Sequence, residues 1–483
     1  MILLLSFIIV LAWTVLFRYR RRNMYKLAAA IKTYREREHL PIIGFTHKFS
    51  CNTEDVEKIM EDASYAAIEN NGIIKGWGFH MVYFLVTDPA DIEVILKTCL
   101  EKDKVYRFLR KFIKNGTIFA PVSIWRRRRK ILIPAFSPKI VENFVEVFSE
   151  QSEKLAQELI QNAGKENIMW PFISSYTLDA VCETAMGVKV NAQGNPNTPF
   201  LVALNHVLNL VFKRIYQVWL WPDWVFQLLP QFKEHEDCKK IIHDFTDTVN
   251  VYEKGSFLDF LIHISGGENG YTNVELREEV LTLIVAGTDT SACAIGFTLK
   301  LLSKYPEVQE KVYQELVEVF DDVERPLRKD DLLELKYLER VIKESLRLFP
   351  PGPVIGRNIL EDIKLPSGRI LPAGTGVVVS IWGAHRDPKY WGPDAEHFDP
   401  DRFLPERFHL KHPCSFMPFS SGPRNCIGYH YALMSIKTSF ASILRRFKVV
   451  GEPEKSPIPK MRLKVDIMLK AVDGYKVTLE RRK

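Results

Sequence analysis

Phe419-Ser-Ser-Gly422-Pro-Arg424-Asn-Cys426-Ile-Gly428 is the stretch of this 483-residue chain that decides how the rest is read. Phe419, Gly422, Arg424, Cys426 and Gly428 fix five residue types within ten positions. Such a frame arises by chance, given average composition, with odds on the order of 10⁻⁴ or less. The other cysteines, at 51, 99, 182, 238, 293 and 414, are scattered, with no Cys-x-x-Cys spacing and no disulfide-like framework. That usage belongs to a reducing compartment, where one thiolate can be kept as a ligand or a nucleophile. Alone, Cys426 would more often be an inert buried thiol. Its frame sets it apart.

Working toward the amino terminus, Pro, Asp and Phe crowd residues 387 to 419, which read as ordered irregular chain. Short strand-like runs precede them, at 376 to 381 and at 363 to 371, the latter broken by a Pro-Ser-Gly turn. Before residue 350 helical periodicity dominates, including 141 to 159 and 307 to 320. Glu344 and Arg347 stand three apart on one helix face, a spacing that usually marks a surface ion pair. Thr272 with Glu275 forms a capping box, and Pro306 opens the following helix. Between them the spacing predicts one helix over Asn273 to Lys304, roughly 48 Å long. Its middle is apolar except for Gly287, Thr288, Asp289, Thr290 and Ser291. A membrane span would carry no such polar notch without a use for it, so a helix crossing a protein core fits better.

Met1 to Phe17 carry no charge, and Arg18, Arg20, Arg21 and Arg22 come directly after. That is the short end of a membrane span, with positive charge placing the rest of the chain in the cytosol. No basic segment precedes it and no small-residue cleavage site ends it, so it reads as a signal-anchor. Leu40-Pro41-Ile42-Ile43-Gly44 reads as a turn into the globular body. The resulting division is an anchor at 1–17, a basic, proline-containing linker at 18–44 and one large domain at 45–483. Net charge is +7. The arginines at 18 to 22 and the run Arg126 to Lys130 carry more than that, so the remainder is slightly acidic and no general nucleic-acid surface is expected. Apolar residues at 46% and charged residues at 26% exclude disorder and low complexity.

The cysteine loop resembles the haem-binding loop of the cytochrome P-450 superfamily, and the resemblance runs along the whole chain. It implies a mainly α fold with small β-sheets, the cytochrome P-450 fold, preceded here by a single N-terminal membrane-anchor helix. It implies that Cys426 is the axial thiolate of haem b, a ligand that favours O–O cleavage. Phe419, Gly422 and Gly428 would shape the loop around the sulfur, and Arg424 would reach a haem propionate. Trp125 and Arg129 resemble the family's propionate-binding pair, with Arg357 as a third partner. The other basic residues of that run are expected to face outward, as a solvated face or as a docking patch for an acidic electron donor. Glu344 and Arg347, followed by Arg402 in Phe398-Asp-Pro-Asp-Arg402-Phe403, resemble the buried triad that braces the haem loop. Ala286-Gly287-Thr288-Asp289-Thr290-Ser291 resembles the oxygen-activating notch, in which Gly287 makes room and Asp289 with Thr290 relays protons.

Val181 to Gln193 and Pro134-Ala-Phe136 look like the fourth P-450 family and its insect relatives, often linked to fatty-acid ω-hydroxylation and foreign compounds. Two features depart from that pattern. Ala286 stands where many members carry the glutamate that esterifies haem, so haem is expected to be held without a covalent bond. The stretch from His243 to Phe260 looks several helical turns short. The expected activity is insertion of one atom of O₂ into a fatty acid, terpenoid, hormone or xenobiotic by an enzyme of the endoplasmic reticulum membrane. No dinucleotide fingerprint is evident, so electrons are expected from a separate NADPH-cytochrome P-450 reductase, with cytochrome b5 as a second candidate donor. The readings weighed against it are an oxygen-independent haem-thiolate isomerase or dehydratase, and a haem-binding carrier or sensor without turnover. Trp219, Trp221, Trp224 and Phe226 serve either core packing or an interfacial contact beside a substrate entrance.

Overall fold

Asn273–Lys304 forms the expected helix over its full length, with both arms of the Thr272/Glu275 capping box in place. The structure, a computed structural model, describes residues 19, 21–49, 52–79, 81–195, 197–248, 256–264, 270–320 and 325–482. The expected anchor at 1–17 and the stretch 249–255 lie outside the described residues. Among the described residues this one helix is long and apolar enough to cross a membrane, but 78% of its most apolar window is buried within the protein. It is a core helix.

Helices gather around it. In chain order they include α1 (Val122–Ala135), α2 (Val145–Gln161), α3 (Trp170–Met186), α4 (Pro199–Tyr216), the long helix α5 (Asn273–Lys304), α6 (Lys336–Leu348) and α7 (Tyr429–Arg446). The closest partner of α5 is α3, and Gly287 shows why. A Cβ at Gly287 would lie 2.7 Å from Val181 Cγ2, so only glycine lets the two helices approach this closely at the notch. Leu299, Leu301 and Leu302 of α5 continue into the main core, with Phe440 and Ile443 of α7 and Val341 of α6.

The sheet content is small, as expected. A mixed sheet runs in the order β1 (Ile73–Gly78), β2 (Met81–Val86), β4 (Gly376–Ser380), β3 (Val354–Asn358), with only β2 and β4 parallel. A hairpin of β5 (Leu463–Asp466) and β6 (Met468–Ala471) packs beside α5. Residues 363 to 371 form the expected hairpin, with Gly368 at φ 81 in its turn.

The stretch read as a linker is packed against this sheet. Met24, Ala28 and Ile31 are buried with Ile73, Phe84 and Val377. The turn at Leu40 to Gly44 closes through paired backbone hydrogen bonds. A Cβ on Gly44 would collide with the carbonyl of Trp77. The stretch judged short is flanked by helices that pack, since Phe257 stacks on Phe136 and Phe245 on Phe200. The aromatic segment divides. Phe226 is buried, Trp221 is half-buried, and Trp219 and Trp224 are 48% and 68% exposed.

Candidate active site

The cysteine loop is built by its backbone. Cys426 N–H donates to Phe419 O at 2.9 Å, and Asn425 N–H to Gly422 O at 3.1 Å. Gly422 has φ 73, and a Cβ there would lie 2.7 Å from Leu96 O, so the turn requires glycine. The Cys426 side chain opens onto a cavity of about 360 Å³ between this loop, α1 and α5. Surrounding protein burial pushes its thiol up, opposed by the Gly428 N–H and by Arg129. Those same two groups stabilise a thiolate.

Ala286, Gly287, Thr290 and Ser291 line the cavity from α5. Thr290 Oγ1 donates to Ala286 O at 2.6 Å, the back-bond expected of a helical threonine. Asp289 is not among the lining residues. It turns to the neighbouring face of α5, where its Oδ1 accepts from Lys470 Nζ on β6 at 2.9 Å. Its Oδ2 is buried with no hydrogen-bond partner. The structure therefore brings Thr290 to the cavity and sets Asp289 beside it, held by a lysine that sequence reasoning missed. Burial works against the Lys470 ammonium, and Asp289, Cys293 and Asp466 together hold it above its usual value.

Trp125 lines the cavity with the Arg424 guanidinium 4.5 Å from its ring centroid. Arg129 Nη2 donates to Asn425 Oδ1 at 2.6 Å, and Arg424 Nη2 to Ala120 O at 2.8 Å. Lys102 also lines the cavity, and Arg357, bridged to it through their backbones, stands behind that lining. Burial pulls Arg424 down to about 10, with Arg357 and Arg129 adding repulsion. Burial also lowers Lys102, well below its usual value, again with Arg357 and Arg424 adding to it. Lys102 is a second member the sequence did not reveal. Buried nitrogens of Arg129, Arg357 and Arg424 have no hydrogen-bond partner. Glu101 offsets part of the repulsion at Arg424, but among the described residues none of the four cations makes an ion pair, and such a cluster demands anionic partners. Two carboxylates on a flat apolar macrocycle would meet that demand, and Cys426 would supply a thiolate to its metal. The residues present fit haem.

The expectation that the remaining basic residues face outward needs correction. Arg126 and Lys130 are exposed, but Arg128 is 2% exposed. Its Nη1 donates to Glu279 Oε1 at 3.1 Å and its Nη2 to Glu278 Oε2 at 2.7 Å. Arg127 pairs with Glu275. Consecutive helical side chains point about 100° apart, so a run of arginines covers every face of α1 in turn. Glu279 also accepts from the Thr117 backbone and hydroxyl, which commits both its oxygens.

Behind the loop, Glu344 and Arg347 form a bidentate pair at 2.8 and 2.7 Å, both fully buried. Arg347 also donates to the carbonyls of His385, Ala395 and His397. Arg402 approaches Glu344 only to 3.7 Å, and its hydrogen bonds go to Trp391 O and Asp394. Arg402 is thus the outer member of the set.

The model of the Cytochrome P450 family matches residues 59–479. Among curated proteins, Cytochrome P450 4d2 of Drosophila melanogaster is 34% identical over 517 aligned positions, covering 100% of this chain and 98% of that protein. Because 517 positions exceed the 483 residues here, part of that relative has no counterpart in this chain. Cytochrome P450 4c3 of the same fly is 34% identical, covering 84% of this chain and 82% of its own length. Cytochrome P450 4V2 of Homo sapiens is 35% identical, covering 85% and 82%. With a cavity-facing cysteine, a rim of unpaired cations and these relatives, the chain belongs to the cytochrome P-450 superfamily of haem-thiolate monooxygenases and, within it, to the fourth family.

Proposed function

We propose that this monooxygenase works at a membrane, taking NADPH electrons from a separate reductase and oxidising apolar substrates, with Cys426 as haem ligand. The observation that carries the reading is the meeting of Cys426, the cation rim and Thr290 around one apolar cavity. Haem bound there supplies the reduction and splitting of O₂. The chain's own residues do the rest. Trp125, Arg129, Arg357, Arg424 and Lys102 would hold its propionates. Glu344, Arg347 and Arg402 keep the loop in shape from behind, a buried set that is costly to break from one side. The Thr290 hydroxyl, released from Ala286 O, would donate a proton toward the oxygen site and would be resupplied through water from Asp289, which stands behind it on the neighbouring face of α5. Leu132, Val181, Ala294 and their neighbours exclude bulk water and receive the substrate.

Membrane association is supported by the exposed Trp219, Trp224 and Leu228 and by the apolar run 1–17 followed by arginines. The proposed location is the endoplasmic reticulum, with the catalytic domain in the cytosol. Full-length protein in microsomes with NADPH-cytochrome P-450 reductase should give a thiolate-type carbon monoxide spectrum and reductase-dependent NADPH use. Incubation with a panel of terpenoids, steroids, insecticides and fatty acids should yield, from at least one class, a product carrying one atom from labelled O₂. Cys426→Ser should lose the spectrum. An unchanged Soret band in that variant, or label entering from water, would refute the proposal.

A further inference from the structure

A second cavity, of about 330 Å³, lies between β1, β2, the turn around Phe45 and the carboxyl end of α4. That volume is at the lower end for small-molecule sites. One wall separates it from the cysteine cavity. Lys102, Ile355 and Met468 line the first cavity, while their chain neighbours Asp103, Gly356 and Ile467 line the second. In β3 this is due to the alternation of side chains along a strand.

The second lining is aromatic and aliphatic, with Phe49, Trp77, Met81 and Tyr216 prominent. Among its described residues there is no lysine, arginine or histidine, and Asp103 is the only acid. Asp103 is 4% exposed. Its Oδ1 accepts from Val105 N–H at 3.0 Å and from the Tyr83 hydroxyl at 3.2 Å, which caps the adjoining turn. Its Oδ2 has no partner at all. Oδ1 alone makes every contact that the fold takes from this side chain. Burial raises the Asp103 carboxyl, and the Val105 N–H, the Tyr83 hydroxyl and the charge of Lys104, an exposed residue outside the cavity lining, oppose that by favouring the ionised form.

We infer that this cavity binds an apolar molecule bearing a single hydrogen-bond donor, a hydroxyl or an amine, directed at Asp103, and that it rejects fatty-acid carboxylates. A donor satisfies the orphan oxygen and makes a charge-assisted hydrogen bond in an apolar setting. A carboxylate would be buried beside Asp103 with no cation in the wall. As a choice of substrate, held one wall away from the cysteine, this rests on the monooxygenase reading; as a binding site it does not.

The test is calorimetric titration of the full-length holoenzyme with dodecan-1-ol and with dodecanoate. Carbon monoxide spectra and reductase-dependent NADPH use are recorded on the same samples. Wild type should bind dodecanol at least about tenfold tighter than dodecanoate. Asp103→Asn keeps an Oδ1 acceptor for Val105 and Tyr83 but adds an amide donor, so the preference should shrink or reverse. A Cβ at Gly76, which lines the cavity, meets nothing within 4 Å. Gly76→Leu should therefore fill the space and weaken dodecanol about tenfold while the carbon monoxide spectrum stays unchanged. Dodecanoate binding as tightly as dodecanol in wild type, or a preference untouched by Asp103→Asn, would overturn the inference. A holoenzyme that prefers dodecanol but shows no thiolate spectrum or reductase dependence would instead refute the monooxygenase reading alone.

Discussion

Replacing Lys470 by methionine should separate the structural use of Asp289 from its chemical one. The two side chains meet at 2.9 Å and are 9% and 5% exposed, so water screens little of their attraction. Met fills the stem of the lysine and still packs against Trp170, whose ring lies 4.3 Å from the ammonium. What is lost is the charge, and Asp289 is left buried without a cation. Breaking a buried pair from one side costs about 3–5 kcal/mol. Urea unfolding followed by far-ultraviolet circular dichroism should show a loss of that size. The double variant Lys470→Met with Asp289→Asn removes both charges and should recover half of it or more. Function should not track stability. If Asp289 resupplies Thr290, both variants should release more peroxide per NADPH consumed and form about tenfold less product, at the low end of acid–base contributions. A loss under about 1 kcal/mol in Lys470→Met, together with wild-type coupling in the double variant, would refute the reasoning.

Three further outcomes are expected. Gly287→Ala should cost about 1–3 kcal/mol, because its Cβ meets Val181 Cγ2 at 2.7 Å, and Val181→Ala in the same chain should relieve much of this; strictly additive unfolding energies would contradict the packing argument. Acidified organic solvent should strip free haem b from the wild type, since residue 286 ends in a methyl group and both Glu279 oxygens are committed to Thr117 and Arg128; haem that stays on the polypeptide in denaturing chromatography would contradict it. Burial draws His385 down to about 3, its neutral ring donating to Arg347 O and accepting from Met417 N–H. The unfolded chain takes up this proton below about 6.5 and the folded chain does not. Stability is therefore full above that pH and falls by about 1.4 kcal/mol per unit as pH drops toward 3. His385→Gln should lose that slope in urea midpoints at pH 7, 6 and 5, and equal slopes in the two proteins would exclude the assignment.

Much of this molecule was legible where the chain signals locally. The capping box of Thr272 and Glu275, with Pro306 beyond, marked both bounds of α5, and a Pro-Ser-Gly turn marked a hairpin. The cysteine loop was legible because its glycines and the backbone hydrogen bonds of Asn425 and Cys426 fall within ten residues. Contacts between distant residues were not legible. Arg128 and Arg129 are indistinguishable in composition, and what separates them is Glu279, 151 residues away. Asp289 was read with Thr290 because they are adjacent, yet its partner lies 181 residues on in β6. Lys102 carried no mark at all, since only folding brings it to Arg357 and Arg424. The second cavity was equally invisible. It is made by neighbours in the sequence pointing to opposite sides of one wall.

The inward turn of Arg128 has a consequence for how α1 is held. Helix α1 offers Arg126 and Lys130 to solvent, Trp125 and Arg129 to the cavity, and Arg128 to the acids of α5. A helix with its side chains is only about 10–12 Å across. By the 100° step between residues, the exposed face and the cavity face are neighbouring sides of a single rod, and the face that Arg128 fastens to α5 lies opposite the exposed one. Lys130 follows Arg129 directly in the helix, so the outer face and the cavity rim are joined by rigid helical backbone and not by a loop.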